Sequence, residues 1–91
     1  YHEAKHGILM NSGTTALEIA LKAAGIGPGD EVLVPAYTFV ATASAVLSVG
    51  AIVRFVDSDP ETYNIDPTKI EEAITPRTKA IMPVDFSGRP A

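Results

Sequence analysis

The sequence contains no cysteine and no tryptophan, and aromatic residues make up only 7% of its 91 positions. Without cysteine, neither a disulfide framework nor a thiolate metal site can form. No apolar run is long enough to span a bilayer, and the first residues lack the pattern of a signal peptide. Basic residues are scattered in a chain of net charge −4, which argues against nucleic acid or an anionic membrane as a partner. We therefore expect a cytoplasmic globular protein.

Apolar residues, by contrast, are plentiful. They make up 46% of the chain, which excludes a disordered segment. A chain of this length forms one domain at most. Because the apolar fraction is high for so short a chain, we expect part of its apolar surface to be covered by chain outside these 91 residues. Residues 1–6 are polar and are predicted to be a ragged tail. His2 and His6 are four residues apart, but they lack a third ligand nearby, so we predict no metal site.

The most informative stretch is residues 11–18, where a short turn of small hydroxyl residues precedes an amphipathic helix. The first N–H groups of a helix have no intrahelical acceptor, and a glycine lets an anion approach them, so Gly13, Thr14 and Thr15 suit a phosphate. A second interpretation is a capping box, in which Thr15 and Glu18 satisfy those groups without a ligand. The turn has neither the Gly-x-Gly-x-x-Gly nor the Gly-Lys-Ser/Thr spacing of the common nucleotide loops.

Hydrophobic patterning predicts alternating strands and helices along the chain. The predicted strands are residues 7–10, 31–34, 51–56 and 80–84, and the third is apolar enough to be covered on both faces. Such an order predicts the α/β class, with a three-layer, mostly parallel sheet and helices on both faces. In these sheets ligands bind beyond the carboxyl ends of the strands.

Each predicted helix has a recognisable start or end. The first ends at Gly25, the second is capped by Thr38 and ends at Gly50, and the third starts at Asp66-Pro67. The three apolar stripes are, in order, Leu17, Ala20, Leu21 and Ala24; Phe39, Ala43, Val46 and Leu47; and Ile70, Ala73 and Ile74.

Three loops at the carboxyl edge carry further candidate residues. Phe39 either stacks on a flat heterocycle or is the first apolar residue of its helix. Asp57 and Asp59 either hold a divalent cation or cap turns. Asp85 is either a catalytic or cofactor-holding carboxylate or a turn residue bonded to its own backbone. None of the four lysines is predicted to lie on this edge.

Several blocks of the sequence together resemble the DegT/DnrJ/EryC1/StrS family of sugar aminotransferases. They are Asn-Ser-Gly-Thr-Thr-Ala-Leu at 11–17, Gly-Ile-Gly-Pro-Gly-Asp-Glu-Val-Leu-Val-Pro-Ala-Tyr-Thr-Phe-Val-Ala-Thr at 25–42, the segments 55–67 and 74–84, and the closing Gly-Arg-Pro-Ala. The resemblance covers residues 7–91 in order and with the spacing of the family.

This resemblance implies a fold-type-I enzyme that uses pyridoxal 5′-phosphate (PLP). Gly13, Thr14 and Thr15 match the turn that binds the PLP phosphate, and Phe39 matches the aromatic residue that stacks on the pyridine ring. Asp85 matches a strand-end position beside the cofactor where many relatives have histidine. Arg89 stands where glutamine is usual.

The family's Schiff-base lysine and its aspartate partner of the pyridine nitrogen are expected beyond Ala91. The chain is therefore expected to be an N-proximal fragment of the PLP-binding large domain, without a catalytic residue of its own. The implied parent is a homodimer that moves an amino group from glutamate or glutamine to a nucleotide-linked keto-sugar. Two alternatives stay open: a sugar 3-dehydratase of the same family, in which histidine replaces the lysine, and a non-catalytic phosphate- or nucleotide-binding α/β module.

Overall fold

The computed structural model describes residues 3–91, in which three helices alternate with three strands. The elements are α1 (Gly13–Ala23), β1 (Glu31–Pro35), α2 (Ala41–Ser48), β2 (Ile52–Val56), α3 (Pro67–Ala73), β3 (Thr78–Ile81) and a 3₁₀ turn (Phe86–Gly88). His2 lies outside the described residues, whereas His6 is exposed. Among residues 3–91, no helix combines the length and the hydrophobicity that crossing a bilayer requires.

The three strands form one parallel sheet in the order β2-β1-β3. Every residue of the central strand β1 is buried, because a helical layer covers each of its faces. On one face, Val32 and Val34 pack with Leu21 of α1 and Val46 of α2. On the other face, Leu33 packs with Val56 and Ile65, and α3 covers this smaller cluster. The predicted α/β fold with helices on both faces of a parallel sheet is confirmed.

The prediction of a strand at residues 7–10 is wrong. These residues pair with no strand among residues 3–91, and the side chains of Ile8 and Leu9 are 79% and 99% exposed. A strand is stabilised by its neighbour in the sheet, and none of β1, β2 and β3 pairs with residues 7–10. Apolar content alone therefore misidentified this segment.

Two other strands differ from their predicted description. β2 is an edge strand, and Ile52 and Phe55 are 41% and 59% exposed. The prediction that this strand is covered on both faces is therefore wrong. β3 begins and ends earlier than predicted. It ends early because the last hydrogen bond between β3 and β1 is donated by the Met82 N–H to the Leu33 carbonyl, at 2.8 Å. Pro83, which has no N–H to donate, follows directly.

Helix α2 starts later than predicted, and this changes which residues it buries. Its N-cap is Val40 rather than Thr38, and no side chain caps it. Its inward face carries Thr42, Ala45 and Val46, whereas the predicted stripe residues Phe39 and Leu47 are exposed. The ends of α1 and α2 are as predicted, since Gly25 and Gly50 both adopt positive φ after the last helical turn. The predicted start of α3 is confirmed by the bond from the Thr68 N–H to Asp66.

Candidate functional site

The connectivity of the sheet brings several segments to the carboxyl edge of the strands. Residues 36–40 follow β1, residues 57–66 follow β2, and residues 82–91 follow β3. The carboxyl end of α1 leads into the amino end of β1, and α1 packs against α2. The first turn of α1 therefore lies toward the carboxyl edge of the sheet, where α2 also starts. This edge is where ligands bind in open parallel sheets.

The first turn of α1 is capped by Ser12. The Ser12 Oγ accepts a hydrogen bond from the Thr15 N–H at 3.1 Å and donates its own proton to the Thr15 Oγ1 at 3.1 Å. The capping-box interpretation therefore assigned the wrong residue, because Thr15 receives the cap rather than providing it. The cap leaves the N–H groups of Gly13 and Thr14 without an intrahelical acceptor, and it leaves the Thr15 hydroxyl proton free to donate.

This turn is open to a ligand. Ser12, Gly13 and Thr14 are exposed, and a β-carbon placed on Gly13 would meet no atom within 4 Å. Two backbone donors and the positive end of the α1 dipole therefore lie in an exposed turn, and the hydroxyl of half-buried Thr15 lies beside them, which fits the phosphate of PLP.

Phe39 lies in the loop before α2, and its side chain is 78% exposed. The alternative that Phe39 is the first buried residue of its helix stripe is thereby excluded. An exposed ring on the carboxyl edge is available to stack on a flat heterocycle. Its role in cofactor binding remains a prediction.

Asp85 follows β3 and is exposed, and its Oδ1 accepts a hydrogen bond from the Ala91 N–H at 2.9 Å. Asp85 therefore bonds to the backbone of its own turn, as the second interpretation predicts. The second carboxylate oxygen retains acceptor capacity, so the cofactor-side role is compatible with this contact and stays a prediction.

Of the two aspartates after β2, Asp59 has side-chain hydrogen bonds within its turn. The Asp59 Oδ1 accepts hydrogen bonds from the N–H groups of Glu61 and Thr62, at 2.8 and 3.4 Å. Asp57 and Lys69 both line an open groove of about 270 Å³ between β2 and α3. Within residues 3–91, no three His, Asp or Glu side chains come close enough together to hold a metal ion.

Sequence reasoning missed Asn64 and an aromatic cluster beside it. Asn64 is buried and bonds to the backbone of residues 86–90. The rings of Tyr37, Tyr63 and Phe86, one from each post-strand segment, lie with their centroids 5.1–5.5 Å apart. The one signal in the sequence was the pair Tyr63-Asn64, a polar residue next to an aromatic one, in the segment after β2.

Comparisons with known proteins find relatives along nearly the whole chain. The chain is 56% identical over 89 residues to GDP-perosamine synthase of Caulobacter vibrioides, covering 98% of this chain and 24% of that protein. It is 59% identical over 86 residues to UDP-N-acetyl-3-dehydro-alpha-D-glucosamine 3-aminotransferase of Acidithiobacillus ferrooxidans, covering 94% of this chain and 23% of that protein. The chain thus spans about a quarter of the length of these relatives.

Solved structures show the same fold. The crystal structure of 3-amino-5-hydroxybenzoic acid synthase matches with a TM-score of 0.94 and 49% identity, over 96% of this chain and 23% of that one. Spr1654 from Streptococcus pneumoniae in its PLP-form matches with a TM-score of 0.85 and 44% identity, over 89% of this chain and 21% of that one.

The model of one family matches residues 1–91. This match agrees with the parallel three-layer fold. The chain belongs to the DegT/DnrJ/EryC1/StrS aminotransferase family.

Proposed function

We propose that this chain is the cofactor-binding, N-proximal part of a PLP-dependent aminotransferase. The parent enzyme moves an amino group from glutamate or glutamine to a nucleotide-linked keto-sugar. The observation that carries the proposal is the first turn of α1, which is exposed and whose first N–H groups have no intrahelical acceptor. The names of the GDP- and UDP-sugar relatives support the choice of substrate class.

Each predicted residue has a role that follows from its chemistry. The N–H groups of Gly13 and Thr14 and the hydroxyl of Thr15 hold the cofactor phosphate, while Ser12 keeps that hydroxyl oriented. Phe39 stacks on the pyridine ring, and Asp85 lies beside the cofactor. PLP, when bound, supplies an electron sink for the transfer of the amino group, and this chain's part is to bind and orient it.

The lysine and the aspartate that complete the site are proposed to lie in the remainder of the parent protein. The parent is proposed to be a homodimer, as the family resemblance implies, and sedimentation velocity of the intact protein would show this directly.

The phosphate assignment is tested by Thr14→Val combined with Thr15→Val in the intact protein. The change removes the Thr15 hydroxyl donor to a charged group, a contact worth about 1.5–3 kcal/mol. PLP affinity should therefore fall roughly ten- to hundredfold, measured by titrating the absorbance of bound PLP.

The matched control is Thr68→Val. Thr68 also lies in a first helical turn, where its hydroxyl donates to Asp66 at 2.7 Å, but it belongs to α3 on the other face of the sheet. This variant should keep the wild-type PLP affinity. Equal affinities for the wild-type protein and the Thr14/Thr15 variant would disprove the phosphate assignment.

The keto-sugar assignment is tested by assaying the intact protein with glutamate or glutamine and a keto form of a GDP- or UDP-sugar. Formation of the amino sugar and the 2-oxo acid in equal amounts is expected. Loss of the sugar C3 hydroxyl without transfer of an amino group would instead identify the dehydratase alternative.

A further inference from the structure

Asn64 ties two segments of the carboxyl edge together. It lies in the segment after β2, and the residue is only 5% exposed. Its Oδ1 accepts a hydrogen bond from the Phe86 N–H at 2.8 Å, and its Nδ2 donates to the carbonyls of Arg89 and Pro90 at 3.0 and 3.3 Å. The single amide side chain therefore provides both an acceptor and donors to the backbone of the turn that follows Asp85.

That turn has an uncommon backbone conformation. Ser87 adopts φ of +52° inside it, and Tyr63, next to Asn64, adopts φ of +63°. Residues other than glycine adopt positive φ at a cost, and they keep it only where the surrounding contacts determine it. Both residues flank the hydrogen bonds of Asn64, so this side chain is one of the contacts that hold the conformation.

The aromatic cluster packs the same segments together. Tyr63 and Phe86 lie 5.4 Å apart, and Tyr37 lies 5.5 and 5.1 Å from them. Tyr37 belongs to the loop that also carries Phe39. The turn after β3 is thus held against the segment after β2 by hydrogen bonds and against the loop after β1 by ring packing.

We propose that Asn64 is a positioning residue for the PLP site. It holds the turn that begins at Asp85 in one place on the carboxyl edge, and through this turn it sets where the Asp85 carboxylate stands relative to the cofactor. The inference rests on the proposed function, since it assumes that Asp85 lies beside PLP. An amide suits the role because a carboxylate at this position would face the carbonyl oxygens of Arg89 and Pro90 without a donor.

The test compares Asn64→Ala with Thr75→Val in the intact protein. Thr75 also makes a half-buried hydrogen bond, to the Glu31 Oε1 at 2.8 Å, but at the amino edge of the sheet. Both variants should lower the thermal unfolding temperature. Only Asn64→Ala should also weaken PLP binding, by about tenfold, because a misplaced contact costs binding as well as stability.

A double-mutant cycle with Asp85→Ala shows whether Asn64 acts through Asp85. If it does, the double variant should bind PLP about as weakly as the single variants, because the two changes remove one contribution. The proposal would be overturned if the losses of PLP affinity in the two single variants multiplied in the double variant. It would also be overturned if Asn64→Ala bound PLP as tightly as Thr75→Val, or if Asp85→Ala bound PLP as tightly as the wild type.

Hydrogen exchange in the wild-type protein provides a readout that requires no variant to fold. PLP should slow the exchange of the Phe86 and Ala91 N–H groups about tenfold and leave unchanged that of the Ile52 N–H, which bonds to Asp30 at the amino edge. Unchanged exchange at Phe86 and Ala91 despite bound PLP would overturn the positioning role alone. An absence of any PLP absorbance change would overturn the proposed function and the positioning role with it.

Discussion

Gly50 ends α2 with φ of +82°, and a β-carbon added there would lie 3.1 Å from the Cγ of Pro28. Glycine is needed for two separate reasons, since positive φ disfavours any side chain and the Pro28 ring occupies the space. Gly25, after α1, shares the positive φ of +80° but has open space around it. The two positions therefore separate the conformational effect from the steric one.

Gly25→Ala should lower the free energy of unfolding by about 1–2 kcal/mol, the cost of the left-handed conformation for a non-glycine residue. Gly50→Ala should lower it further, because the Pro28 ring must also shift. Chemical denaturation of the intact protein measures both changes. Gly7→Ala is the control, since Gly7 has neither a positive φ nor a neighbour within 4 Å. An equal loss at Gly25 and Gly50 would show that the Pro28 contact costs nothing.

At the scale of the single element, α3 shows how a local signal can specify a helix start. The Asp66 carboxylate accepts hydrogen bonds from the hydroxyl and the N–H of Thr68, at 2.7 and 2.9 Å, and Pro67 occupies the first helical position. These bonds, the hydroxyl first, lower the pKa of Asp66 from its ordinary value of 3.8. All the groups involved are near neighbours in the chain, and for this reason the sequence sufficed to predict this boundary.

The lowered pKa predicts how the cap depends on pH. A carboxyl whose pKa is lower in the folded state stabilises that state above the unfolded pKa, and the contribution is lost as pH falls through the folded pKa. The stability of the wild-type protein relative to Asp66→Asn should therefore be constant from pH 7 to about pH 5 and fall below about pH 4. Asparagine caps helices well without titrating, which makes it the appropriate reference. Denaturation midpoints of both proteins across this range would check it, and parallel curves would contradict it.

At the scale of the whole molecule, stability depends on the central strand being covered on both faces. Leu33 is fully buried in the cluster beneath α3, whereas Leu9 is 99% exposed in the segment before α1. Leu33→Ala should lower the free energy of unfolding by about 2–5 kcal/mol, because it leaves a cavity in a packed cluster.

Leu9→Ala is the matched control for that substitution, and it should change stability by less than about 0.5 kcal/mol because Leu9 is exposed. Chemical denaturation of the intact protein measures both changes. Equal effects of the two substitutions would contradict the three-layer arrangement around β1.

The candidate site could be predicted only in part from the sequence. The turn at Gly13, Thr14 and Thr15 was found from local hydroxyl and glycine residues, although its cap is Ser12 rather than Thr15. The exposure of Phe39 was not predictable by pattern, because it depends on α2 starting at Ala41. Asn64 was missed, since its partners are 22 to 26 residues away along the chain.

The sequence by itself determined what depends on near neighbours. It determined the alternation of helices and strands, the cap at Asp66 and the glycine ends at Gly25 and Gly50. The tertiary structure alone decided which apolar segments became strands, which strand lay at the centre, and which polar side chain joined the loops of the carboxyl edge. The physical reason is that strand pairing and burial depend on contacts between distant segments, and no local pattern encodes which distant segment will be the neighbour.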